Sequence, residues 1–133
     1  MMAGLGDYPV GAVLRAEKLT RAAKFYTEVL GLDPTPVGGP SAEGMLSAGD
    51  GTGVMIYEGP GMPAPQNTTL GFGVPRGRLD EVVADMRAKG VTFEEYDLPE
   101  IGLKTVDGMA EIEGVRLAWF KDSEGNIVSI ATM

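Results

Sequence analysis

WFKDSEGNIVSI, residues 119–130, decides the fold. Two apolar runs flank Asp122-Ser123-Glu124-Gly125, a cluster of turn formers. The stretch therefore reads as the core of a hairpin, with strands over residues 115–121 and 126–131. Working outward, residues 69–74 read as a strand. Leu79, Val82, Val83 and Met86 then stand at helical spacing, and Gly90 is a natural stop. Residues 91–96 read as a further strand, and an acidic loop, residues 94–113, runs on towards Gly114.

The first half repeats this order. Residues 8–16 carry Val10, Ala12 and Leu14 at alternate positions, as a strand does. From Leu19 the period changes: Leu19, Ala22, Tyr26, Val29 and Leu30 form one helical stripe that Gly31 ends. The stripe makes Phe25 and Tyr26 core residues. DPTPVGGPSAEG (residues 33–44) is turn-rich, with room for one short edge strand near residues 35–37. Residues 45–48 and 54–57 flank GDGTG, where Asp50-Gly51 favours a hairpin turn. A glycine loop between two strands has no helix N-terminus to aim at phosphate. EGPGMPAPQN (residues 58–67) is dense in Pro and Gly and separates the halves. The expected fold class is α+β: two βαβββ modules, about residues 6–60 and 67–133, in a single domain of 133 residues.

Composition removes several function classes. The apolar fraction of 44% is ordinary for a soluble chain, and the apolar runs are too short to span a membrane. MMAGLGDYPV has no basic region followed by an apolar stretch, so no secretory leader is expected; with no cysteine, this fits a cytoplasmic location. A net charge of −8 argues against a nucleic-acid partner. Glu94, Glu95, Asp97, Glu100, Asp107, Glu111 and Glu113 face Lys104 alone in their segment. That run is either a solvated surface or a field for a cationic ligand. Histidine is absent, which removes the commonest general base and the commonest metal ligand.

Four segments carry a resemblance: AVLRAEKLTRAAKFYTEVLGL, GDGTGVMIYE, LGFGVPRGRLDEVVADMRAKGV and RLAWFKDSEGNIVSI. They are similar to the vicinal oxygen chelate superfamily, which includes glyoxalases, ring-cleaving dioxygenases, and fosfomycin- and bleomycin-resistance proteins. The resemblance implies a mixed sheet curled into a cup. It places the ligand positions of metal-binding relatives on Gly11, Met55, Thr69 and Ser129. Gly and Met offer no hard donor, and Thr and Ser hydroxyls are weak neutral ones, so neither metal nor cofactor is expected. Glu58 faces away from the cup by period-2 counting from Met55, and Glu17 lies past its strand. Lys18 stands where relatives carry an N-capping Asp, so Thr20 is expected to cap the helix instead.

Alternation adds Val13 and Arg15, Tyr57, and Gly71 with Gly73 to the cup lining. Ile127 and Ala131 share the Ser129 face, and Leu117 and Trp119 lie on the neighbouring strand. Trp119, Tyr57 and Met55 either line an open pocket or fill a core. The in-strand glycines favour a pocket, although a strongly bent sheet would also use them. The expected function is metal-independent binding of a small aromatic or cationic compound by a homodimer, as in the bleomycin-resistance branch. The alternative is a metal-independent isomerase or lyase using Tyr57 or Arg15 with a carboxylate such as Glu111 or Glu113. A third reading is an assembly module whose cup is filled.

Overall fold

The computed structural model describes residues 4–34 and 43–133. The first strand, β1 (Ala12–Ala16), is shorter than the alternation at residues 8–16 suggests: residues 8–11 are irregular and exposed, and Leu5–Asp7 forms a 3-10 turn ahead of them. Helix α1 (Leu19–Lys24) follows and widens into a π-helical turn over Phe25–Val29. There the Leu30 N–H reaches back to the Phe25 carbonyl at 3.1 Å. The Thr27 hydroxyl donates to the Ala23 carbonyl at 2.9 Å, supplying a partner within the disturbed ladder. Gly31 then takes φ 81, the left-handed stop its sequence position predicts. The edge strand expected near residues 35–37 lies outside the described residues.

Strands β2 (Met45–Ser47) and β3 (Gly53–Glu58) pair antiparallel. Asp50 and Gly51 both have positive φ between them, as the hairpin reading requires. β3 also lies parallel to β1, giving the order β1-β3-β2. The second half repeats this with β4 (Thr68–Val74), α2 (Leu79–Ala88), β7 (Met109–Ile112), β8 (Val115–Lys121) and β9 (Ile127–Thr132). Its order is β4-β9-β8-β7, with β4 and β9 parallel. In each half the first strand thus pairs parallel with the last, which makes the internal duplication visible in the topology.

The region after α2 departs from the sequence reading. Residues 91–96 make only a bridge, Phe93 to Phe120, with Glu94 N–H bonded to the Trp119 carbonyl at 2.8 Å. The acidic segment is folded: β5 (Asp97–Leu98) and β6 (Leu103–Lys104) make a small hairpin, and β7 closes the run. Its acids do local work. Glu95 accepts the Gly108 N–H at 3.1 Å, and Arg87 binds the Asp107 carbonyl at 2.7 Å.

Alternate residues of the sheets meet the helices. Leu14, Ala16, Val54 and Ile56 bury against Ala22 and Tyr26. Ala118, Phe120, Val128 and Ile130 bury against Leu79, Val83 and Met86. Each large side chain so buried contributes roughly 1.5–3 kcal/mol. Phe25, Leu30, Leu70 and Phe72 pack against both clusters, so the two cores are continuous. Among the described residues no helix is long and apolar enough to cross a membrane.

Candidate functional site

A buried polar knot lies where the closing turn meets the first half. Asp122 Oδ1 accepts the backbone N–H groups of Glu124 and Asn126 at 2.8 and 2.9 Å, which closes the turn. Its Oδ2 accepts from Tyr26 Oη at 2.7 Å and from Asn126 Nδ2 at 2.9 Å. Asn126 Nδ2 also donates to the Arg15 carbonyl, and Arg15 Nη2 donates to the Glu124 carbonyl. Burial and the Asp122 carboxylate push the Tyr26 phenol far above its usual range, so it remains a donor.

Glu124 completes the knot. Its carboxylate accepts from Arg21 Nε at 2.7 Å, from the Lys18 N–H at 2.9 Å and from the Ser123 hydroxyl at 2.8 Å. These bonds, Arg21 foremost, hold its pKa down at about 2 against the opposing effect of burial. The capping question is answered here too. Lys18 does occupy the N-cap of α1 with no side-chain cap of its own. Glu124 takes the Lys18 N–H, and Glu58 takes the Leu19 N–H at 3.0 Å. Thr20 does not cap; its hydroxyl points to Glu43 at 3.5 Å. Distant carboxylates thus do the work of the missing Asp.

The cup-lining candidates fall into two groups, one on each sheet. On the first, Val13 stands opposite Met55, and Arg15 opposite Tyr57. Val13, Met55 and Tyr57 are 57%, 43% and 40% exposed, so they are not core filling. Gly11 is exposed ahead of β1. Arg15 differs from its face-mates: it is buried under the closing turn, with Nε and Nη1 sealed from solvent. On the second sheet, Gly71, Ser129 and Trp119 form one row across β4, β9 and β8. Gly73, Ala131 and Leu117 form the next row, and Ile127 lies opposite Lys121. Thr69 donates its hydroxyl to the Ile127 carbonyl at 3.1 Å. The two groups are joined through the shared core and the knot.

The row beside Trp119 is close-packed at its glycine end. A Cβ at Gly71 would come within 2.9 Å of Ser129 Oγ, so glycine is what lets that hydroxyl sit against the β4 backbone. Tyr96 stands edge-on to Trp119, 5.5 Å between ring centres, and braces one side of the indole. Sequence reading missed Tyr96, because nothing local distinguishes it within the acidic run. Two surface hollows, about 540 and 420 Å³, lie elsewhere, along α1 by Lys24 and Thr27 and at the seam by Leu32 and Phe72.

A divalent metal does not fit the four positions that the resemblance assigns to ligands. Gly11 and Met55 bring no hard donor, and Thr69 has its hydroxyl committed to a carbonyl. Among the described residues no group of three or more acidic side chains converges as a metal site would require. Glu58, the nearest carboxylate in sequence to Met55, is engaged as a helix cap.

Comparison with known proteins bears on the fold and family. The profile described as Glyoxalase/Bleomycin resistance protein/Dioxygenase superfamily matches residues 10–130. Among solved structures, a glyoxalase/dioxygenase from Nostoc punctiforme superposes with TM-score 0.69 at 14% identity, covering 99% of this chain and 95% of its own. The genomically encoded fosfomycin resistance protein FosX from Listeria monocytogenes gives 0.64 at 16%, covering 100% and 93%. Oxidase ChaP-H2 gives 0.62 at 21%, covering 92% and 91%. At these identities the structures speak to the fold alone. No curated protein matches the chain.

Proposed function

We propose that this chain, which belongs to the Glyoxalase/Bleomycin resistance protein/Dioxygenase superfamily, binds a small organic molecule without a metal at the family's ligand positions. The supporting observation is the row Gly71–Ser129–Trp119: a half-buried indole, a hydroxyl and a strand position without a side chain, side by side on a face turned away from α2. An aromatic surface with a polar group beside it is the kind of lining that ligand sites use. The activity closest to this reading is that of the bleomycin-resistance branch, sequestration by a homodimer without turnover.

The rival reading, a metal-independent isomerase or lyase, needs a base beside Tyr57. Glu111 stands opposite Arg116, which binds Asp80 of α2, so it lies on the helix side of the second sheet. Glu113 sits in the β7–β8 turn with φ 51. Neither shares the face of Tyr57, and binding is favoured over turnover.

A thermal-shift panel of divalent metals and aromatic compounds, run on wild type and Trp119→Ala, tests the proposal. Compounds should raise the melting temperature of wild type more than that of the variant, and metals should raise neither. A metal that stabilises the protein at stoichiometric concentration would sink the reading.

A further inference from the structure

We infer that the compound held beside Trp119 is uncharged. This rests on the binding proposal above and specifies its ligand. On the strands beside Trp119, Glu111 and Arg116 are turned to the helix side and Lys121 faces Glu94.

The second sheet shows this by register. Ala110 opposite Leu117 and Ile112 opposite Val115 share the parity of Trp119, and all four are apolar. Glu111 and Arg116 fall on the other parity, and the 2.8 Å contact from Arg116 Nη2 to Asp80 fixes that parity on the helix side. One charge on β8, Lys121, does share the Trp119 parity. It sits at the strand's end with Glu94 3.8 Å from its Nζ. Of the other acids of this segment, Glu95 takes the Gly108 N–H and Asp107 faces Arg87 at 3.6 Å.

The first sheet agrees. Glu58 caps α1, and Arg15 donates to the Glu124 carbonyl while its other nitrogens are closed to solvent. What this face presents is Val13, Met55 and Tyr57, all uncharged. A charged ligand group pressed onto the Trp119 face would lose its water and meet no free counter-charge on β8 or β9. A neutral aromatic or aliphatic molecule loses little on leaving water and gains contact with the indole.

The test uses three naphthalenes of one shape: 2-naphthalenemethanol, 2-naphthylmethylammonium and 2-naphthoate. Trp119 is the only tryptophan, so its indole N–H gives one proton signal to follow in the intact protein. The alcohol should shift that signal saturably and bind at least about tenfold more tightly than either ion. Its affinity should not fall when salt is added, since no ion pair is made. An ion that shifts the signal with the affinity of the alcohol overturns this inference and leaves the binding proposal standing. If none of the three shifts it saturably, both are overturned.

Discussion

Tyr26 donates its hydroxyl to Asp122 at 2.7 Å, a bond between residues ninety-six apart in sequence. It ties the helix that carries KFY to the turn that carries DSEGN. Tyr26→Phe keeps the ring packing and leaves Asp122 Oδ2 with Asn126 as its donor. The variant should lose roughly 1.5–3 kcal/mol in urea unfolding, the cost of a buried hydrogen bond to a charged group. Asp122→Ala strands the Tyr26 hydroxyl and two turn N–H groups, and should lose more, about 3 kcal/mol or above. Equal losses for the two variants would contradict the knot as described.

Glu124 gives the stability a sign in pH. Its folded pKa of about 2 lies below the ordinary 4.5, so its ionised form favours the folded state. That contribution is fully present above pH 4.5 and disappears as pH falls through about 2. Thermal melts should therefore decline across that window. Glu124→Gln should be less stable at neutral pH by roughly 2 kcal/mol, the scale of one charge-assisted bond, and should decline less steeply in acid.

A side chain at Gly71 should crowd the Trp119 row and weaken binding without harming the fold. Gly71→Val puts methyls beside Ser129 on an open face, where the nearest atom is a rotatable hydroxyl. Affinity for 2-naphthalenemethanol should fall about tenfold or more, and Trp119→Ala should weaken it by a similar factor. Calorimetric titration reads both, and unchanged affinity in the two variants would place the site elsewhere.

Elemental analysis of the purified protein should find no stoichiometric zinc, iron, manganese or nickel. Ser129→Glu restores one carboxylate among Gly11, Met55 and Thr69, and should still hold no metal tightly. One equivalent bound by wild type would reject the metal-independent proposal.

Strands β1 and β4 each stand at the end of a sheet and pair on one side among the described sheets. Pairing of two copies would cover such edges. Light scattering at micromolar concentration should give about twice the 14.0 kDa chain mass. A monomer would remove the homodimer from the proposed function.

What was legible in the sequence is what is local. The stripe from Leu19, the stops at Gly31 and Gly90, the Asp50-Gly51 turn and the closing hairpin each follow from a few neighbouring residues. The rest depends on partners far along the chain. Lys18 looks like a fault in a helix cap until Glu124 arrives from 106 residues away. Arg15 has the parity of a cup residue, yet a carbonyl of the closing turn draws its guanidinium under cover. The β5–β6 hairpin was hidden by its acids, and Tyr96 gained meaning only when Trp119 was placed beside it. The face of Glu111 emerged the same way, from its register with Arg116.

The knot also sets an order in time. Arg15, Lys18, Arg21 and Tyr26 leave the ribosome roughly a hundred residues before the turn that satisfies them. At about 5–20 residues per second, that interval lasts on the order of 5 to 20 seconds. Throughout it the first half carries an apolar core without its closing acceptors, and its sheet cannot reach full stability. Completion waits for Asp122, Glu124 and Asn126, so the newborn chain matures as a whole, with its earliest-made strand among the last to be secured.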